Sequence, residues 1–227
     1  MVNLTDPNYF SRAGLEKSLI SLGMKLSRKQ TLVDLGCGRK PYKKYFQCKY
    51  IGVDNDPGSQ AEVIAPAWNT TLINNSADAV LLIQSLEHIK RTSELTKEVY
   101  RILKPGGLVF VSVPQTMPNH GPIGKDGIQE DYFRFTPGGL STVFNKFKTV
   151  YILRSCGYWS TIFQLINYYL HTISPGKLFL PFYLINNILG ISLDFLVNFL
   201  QSIMSIFGRK YYLVDALTLN YLYLGKK

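Results

Sequence analysis

Short β-branched runs alternate with helical patterns over roughly the first 150 residues, a spacing that predicts βα units and a parallel sheet. The runs are Thr31 to Leu35, Tyr50 to Asp54, Ala61 to Ile64, Ala79 to Ile83, Leu108 to Val113 and Thr149 to Leu153. Between the fourth and fifth, Leu95, Val99, Ile102 and Leu103 recur at helical spacing. A helix is predicted there, with Thr92 or Ser93 as its cap and Pro105-Gly106-Gly107 as its end. A last apolar segment, Ala216 to Leu224, reads as the seventh strand. The predicted fold class is α/β, a doubly wound Rossmann-like seven-stranded sheet with a helical hairpin inserted before the last strand. Ligands of such sheets sit beyond the carboxyl ends of the strands, so the residues there carry most weight.

The pattern changes at residue 159. Across 159–207 the charged residues are Lys177 and Asp194, and Pro175-Gly176 divides the stretch into two helical pieces, about Ser160 to Ile173 and Phe182 to Phe207. In the second piece Asn187, Gly190, Asp194, Asn198, Gln201 and Ser205 fall on one narrow stripe, and nearly all the remaining circumference is apolar. An ordinary surface helix has an apolar stripe a little over about 100° wide, so this one must bury far more. A transmembrane span is disfavoured, because the runs between Asp, Asn and Gln are shorter than the ~20 residues required and Asp194 would lie in hydrocarbon. Two readings survive. One is a monotopic hairpin in a membrane interface, flanked by Lys177, Arg209 and Lys210; the other is a helical lid and homodimer interface. The membrane reading is preferred. The expected division is therefore 1–158 with 211–227 as the sheet domain and 159–210 as the apolar insertion.

Charged residues make up 18% of the 227-residue chain, below the usual ~25%, and the apolar hairpin accounts for the shortfall. The net charge is +10, with 10 of the 25 basic residues in the first 50 positions against three acids. That field favours anionic partners, among them phosphate-bearing substrates and an anionic membrane face. Nucleic acid is not expected, since the basic residues are not interleaved with an aromatic binding pattern. Three cysteines without metal-ligand spacing suggest neither a disulfide framework nor a metal site, and a reduced cytosolic setting fits them best. No secretory signal is visible in Met1 to Phe10.

The first strand ends in Val33-Asp34-Leu35-Gly36-Cys37-Gly38, where glycines permit a tight turn and close backbone approach to a ligand. A dinucleotide fingerprint would place a third glycine at position 41; Pro41 stands there instead, which suits a helix start. Gly52-Val53-Asp54 closes the second strand, and a carboxylate at that point can accept hydrogen bonds from ribose hydroxyls. Alternatively, Asp54 caps the loop before Pro57. A glycine turn with an acidic strand end fits any adenosine-bearing cofactor.

These segments, with Ala77-Asp78-Ala79-Val80 to Leu86-Glu87-His88 and Glu98-Val99 to Pro105-Gly106-Gly107, resemble in order and spacing the motifs of class I S-adenosylmethionine-dependent methyltransferases over about residues 30–158. The resemblance implies S-adenosyl-L-methionine as cofactor. It puts Gly36, Cys37 and Gly38 at the methionine end, Asp34 on the turn and the cofactor's amino group, Asp54 on the ribose and Asn55 beside the adenine. Gln84 and Ser85 would lie near the sulfonium. Many relatives carry an Asp after the third strand; here Ala67-Trp68-Asn69 stands there, and Asn69 is the candidate for the adenine amino group.

Of three histidines, His120 and His88 are the candidate bases, and His120, in the long loop Pro114 to Phe135, is the better placed by sequence. That loop ends in Asp131-Tyr132-Phe133-Arg134-Phe135-Thr136-Pro137, before a helix expected to have Thr136 as N-cap. It resembles an element of methyltransferases associated with cell-surface polysaccharide or lipid biosynthesis, which makes Asp131, Tyr132 and Arg134 candidates for acceptor binding. Asp131 and Arg134 as a pair holding the loop is the equal alternative. The implied function is O-methylation of a lipid-linked or glycan-type acceptor at the cytoplasmic side of a membrane. Methylation of a quinone-like ring and a non-catalytic scaffold are the alternatives.

Overall fold

The structure, a computed structural model, describes residues 2–124, 126–173, 177–206 and 217–227. Seven strands form one sheet: β1 Thr31–Leu35, β2 Lys49–Asp54, β3 Val63–Ile64, β4 Ala77–Ile83, β5 Leu103–Pro114, β6 Lys148–Arg154 and β7 Asn220–Lys226. Their order is β3-β2-β1-β4-β5-β7-β6, and the pairs from β3 to β5 are parallel. Lys227, just beyond β7, exchanges backbone hydrogen bonds with Gly106 and Gly107, while Leu219 accepts from Gln115 and Thr116, so β7 runs against β5. β1 and β4 are buried almost throughout, as near-continuous apolar runs in parallel strands must be. The chain order doubles back beside β1, and the open carboxyl ends of β1, β2 and β4 converge there.

Among the described residues there are five α-helices: α1 Tyr9–Lys25, α2 Thr92–Ile102, α3 Pro137–Val143, α4 Tyr158–Ile173 and α5 Leu180–Ile206. The apolar stripe of α2 is buried through Leu95, Val99 and Ile102. Its start differs from expectation: Thr92 is already helical, and Arg91 precedes it without a side-chain cap. In α3 the expected cap is present, Gly139 N donating to Thr136 Oγ1 at 3.1 Å. β5 begins earlier than the sequence suggests. Lys104 to Gly107 form an excursion that the β4 register absorbs between Ala77 and Ala79, with Gly106 at φ +78°. Pro41 starts no α-helix; one 3-10 turn, Lys43–Tyr45, follows.

The chain folds as two compact units. Residues 18–114, 118–153 and 221–227 form one, and residues 1–17, 115–117 and 154–220 the other. The N-terminal segment thus groups with the apolar hairpin. Within that second unit α4 and α5 pack antiparallel: Asp194 on α5 accepts from Trp159 N (2.8 Å) and Ser160 N (3.1 Å), capping α4. Asn167 and Asn187 hydrogen-bond at 3.0 Å, and Asn187 Nδ2 donates to Leu4 O at 2.7 Å. Gly190 has no room for a side chain, since a Cβ would lie 2.8 Å from the Phe10 ring. The polar stripe therefore faces inward at Asn187, Gly190 and Asp194, whereas Asn198 and Ser205 are exposed. The outward face is apolar, with Phe182, Ile185, Ile188, Phe195, Phe199 and Ile206 all exposed. By length and composition α5 suffices to cross a membrane, which removes the argument that its polar residues break the apolar run too often. Pro175-Gly176, Phe207, Arg209, Lys210 and the expected strand start at Ala216 lie outside the described residues.

Candidate functional site

The glycine turn after β1 is held from below by buried side chains and strand carbonyls. Asp34 is 1% exposed and accepts a hydrogen bond from the Tyr50 hydroxyl, so burial is only partly offset and its pKa rises to about 7. Gly36 N and Cys37 N both donate to Val53 O (2.8 and 3.2 Å). Gly36 sits at φ +78°, and a Cβ there would lie 2.8 Å from Ser85 Cβ, so glycine keeps the backbone open where β1 and β4 end. Cys37 turns its thiol inward against Gly52, and burial pushes the thiol to about 12. Glu62 completes the brace, accepting from Gly52 N at 2.6 Å and pairing with Lys40.

Asp54 has two tasks visible in the structure. Oδ2 accepts from Gly38 N at 2.8 Å and Oδ1 from Asp56 N at 3.0 Å, so it both fixes the glycine turn and caps its own loop. Each oxygen keeps a further lone pair, and the carboxylate lines a cavity of about 510 Å³, within the usual range for small-molecule sites. Gly36, Asn55, Gln84 and Ser85 share that wall, joined by Ala67 and Trp68, with Arg91 over the indole at 5.8 Å. Asn69 is exposed and does not line the cavity, so the loop presents Trp68 in its place. Asp34, Cys37 and Gly38 also lie behind the wall rather than on it.

Gln84 adopts φ +50°, a conformation sparsely populated by residues other than glycine. It is held from β5, with Gln84 N donating to Ser112 O (2.8 Å) and Nε2 to Ser112 Oγ (3.1 Å). Ser85 Oγ donates to Leu35 O at 3.2 Å, tying the end of β4 to the end of β1.

The opposite side is formed by the 3-10 turn Leu86–His88 and the loop after β5. The long stretch from His120 to Asp131 closes as a small hairpin: Ile123 bridges Gln129, Glu130 N donates to Pro122 O, and His120 N donates to Asp131 Oδ2 at 3.0 Å. Arg134 grips Asp131, Nη2 to Oδ2 being 2.6 Å, and this lowers the Asp131 pKa to about 2. Neither side chain lines the cavity, so the pair ties the loop; Tyr132, whose N donates to Glu87 O at 2.9 Å, does line it. Of the two histidines, His88 is on the cavity wall and His120 is not, the reverse of the sequence expectation. His120 Nε2 instead points to Glu87 Oε1 at 3.3 Å, and this contact raises its pKa. Glu87, fully buried, was legible only as the middle of Leu86-Glu87-His88.

Residues 33–111 match the methyltransferase-domain family. The thiol S-methyltransferase TMT1B of Rattus norvegicus is 30% identical over 141 residues, which are 51% of this chain and 58% of that protein. This chain thus spans a little over half the length of that relative. Among solved structures, phosphoethanolamine N-methyltransferase 2 of Haemonchus contortus, in complex with S-adenosyl-L-methionine, superposes with a TM-score of 0.57 at 19% identity, covering 95% of this chain and 52% of that one. Geranyl diphosphate C-methyltransferase of Streptomyces coelicolor A3(2) gives 0.57 at 14% identity, covering 93% and 79%. At such identities the two structures speak for the fold, and the matched segment contains the glycine turn, Asp54 and the Leu86–His88 turn. Over residues 33–111 the chain thus matches a methyltransferase domain, and its sheet has the fold of S-adenosylmethionine-dependent methyltransferases of known structure.

Proposed function

We propose that this protein transfers a methyl group from S-adenosylmethionine to an oxygen of a lipid-linked or glycan-type acceptor at the cytoplasmic face of a membrane. The observation that carries the methyl-transfer reading is the convergence of Gly36, Asp54, Asn55, Gln84 and Ser85 on one cavity at the ends of β1, β2 and β4. The cradle fits the cofactor: a side chain at Gly36 would fill it, and Asp54 retains acceptor capacity beyond its two backbone bonds. Asp54 would take the ribose hydroxyls, Asn55 and Trp68 would flank the adenine, and Gln84 and Ser85 would border the transferred group. Once bound, the cofactor supplies an already activated methyl donor, so the protein's share is orientation, exclusion of water and handling of the acceptor's proton. That proton falls to the cluster of Glu87, His88 and His120. A thiol acceptor is the second reading, favoured by the name of the rat relative.

Asp34 supports a pH prediction. Its buried carboxyl has a pKa raised to about 7, so in the free protein it ionises only as pH rises through neutrality, and the stability gained from its protonated form is lost over that rise. If the ionised form holds the cofactor's ammonium, directly or through water, affinity falls about tenfold per pH unit below 7. Asp34→Asn should flatten that dependence; a steep profile retained in the variant would remove Asp34 from cofactor binding.

For location, the outward apolar face of α5, with its polar residues turned inward, supports a membrane partner over a solvated one. The net charge of +10 favours an anionic lipid surface in particular. The acceptor is tested by radiolabelled methyl transfer to lipid and polysaccharide extracts of the source cells. Label in an organic-phase lipid or a glycan is expected; label confined to small thiols would favour the second reading.

A further inference from the structure

Glu87 is completely buried, and its Oε2 has no hydrogen-bonding partner among the described residues. A buried carboxylate oxygen without a hydrogen-bond partner is costly, and the Arg134 guanidinium, whose charge acts on Glu87, leaves Oε2 unbonded. Two imidazoles face the carboxylate. His120 Nε2 is 3.3 Å and His88 Nε2 3.8 Å from Glu87 Oε1, and the ligand atoms of all three residues lie within 4.8 Å of one another.

His88 Nδ1 is 2.5 Å from Glu130 O, and His120 Nδ1 is 3.2 Å from Pro118 O and 3.5 Å from Asp131 Oδ2. Both Nδ1 atoms thus face acceptors, and a neutral ring that donates from Nδ1 directs its Nε2 lone pair at the carboxylate. Carbonyl and carboxylate groups on the distal nitrogen are the outer-sphere arrangement of metal-bound histidine. A tetrahedral ion with bonds of about 2.0–2.1 Å has ligands about 3.3–3.4 Å apart, close to the shorter distance observed here. The backbone around the cluster is fitted closely to it: a Cβ at Gly121 would lie 2.6 Å from His88 Cε1.

We propose that Glu87, His88 and His120 bind a divalent first-row transition-metal ion through one carboxylate and two imidazoles. Such a set suits Zn²⁺ and leaves at least one position for water or an acceptor hydroxyl or thiol. Asp131 is committed to Arg134 and to His120 N, and so belongs to the outer sphere. His88 forms part of the cavity wall, so the ion would sit beside the space assigned to the acceptor. The site rests on the geometry of these three side chains and not on cofactor binding, so either can fail alone; with the ion bound, the two imidazoles serve as ligands in place of the proton-accepting role given to the cluster above.

The test uses the full chain, stripped with a chelator, in a Cys37→Ser, Cys48→Ser, Cys156→Ser background that removes thiol ligands. Calorimetric titration with Zn²⁺ should give one ion per chain, and Co²⁺ should give the visible d–d absorption of a low-coordinate His/carboxylate site. Glu87→Gln and His120→Asn should each weaken Zn²⁺ binding by at least about 100-fold, since each removes an inner ligand. Zn²⁺ should also raise the melting temperature of the parent chain and not of the variants, which separates ligand loss from misfolding. Absence of stoichiometric Zn²⁺ binding in the parent, or binding undiminished in both variants, would overturn the proposal and leave Glu87 paired with a protonated His120.

Discussion

Asp54→Ala is expected to abolish measurable S-adenosylmethionine binding, with a loss of 100-fold or more that calorimetry can read. The residue acts twice, and the losses compound. Removing the carboxylate takes away the acceptor proposed for the ribose, and hydrogen bonds to a charged group contribute about 1.5–3 kcal/mol each. It also leaves Gly38 N and Asp56 N without their partners, so the glycine turn loses the contact that fixes it beside β2. Asp54→Asn separates the two tasks: its amide oxygen can keep one backbone donor, while its nitrogen cannot accept at the other. Its affinity should fall between those of the parent and the alanine variant. Unchanged affinity in Asp54→Ala would remove the ribose assignment.

The second large effect concerns α5. Phe195 and Phe199 are 74% and 54% exposed, one turn apart on the outward face, and they touch none of the polar contacts that hold α5 to α4. If that face lies in a membrane interface, replacing both with Glu removes two aromatic groups, each worth about 1.5–3 kcal/mol of burial. Partitioning onto vesicles containing anionic lipid should then fall on the order of 100-fold or more. In a flotation gradient the parent chain should rise with the vesicles and the double variant should stay below. If both remain in the aqueous fraction and the parent elutes as a dimer that the double variant does not form, the face is a subunit interface and the membrane reading fails.

The parts of this molecule legible in its sequence are those set by strand periodicity and by backbone geometry. β-branched runs locate the strands because parallel strands are buried on both faces, and Gly36 and Gly52-Val53-Asp54 mark their ends because only certain residues fit there. The cap at Thr136 and the inward stripe on α5 follow from equally local rules. Helix α1 was not legible: Leu15, Leu19 and Leu22 are buried, but the helix has no coherent polar face to announce them.

Side-chain direction within loops was the other gap. Nothing in the chain tells that Trp68 turns to the cavity while Asn69 turns to solvent, or that Glu62, ten residues past Gly52, braces the turn. The stretch from His120 to Asp131 is pinched into a hairpin, a closure that strand and helix periodicity do not announce. Glu87 carried the one available clue, a carboxylate between apolar Leu86 and a histidine in a segment whose neighbours are buried, and its weight appears only once His120 arrives from 33 positions away.

The central claim is that the turn from Asp34 to Gly38 and the strand end at Asp54 form an S-adenosylmethionine site rather than a dinucleotide site. Calorimetric titration of the full chain with S-adenosylmethionine, S-adenosylhomocysteine and NAD tests it most directly. Saturable one-to-one binding of the first two and no response to NAD is expected; binding of NAD with no response to either sulfur compound would make the site a dinucleotide site.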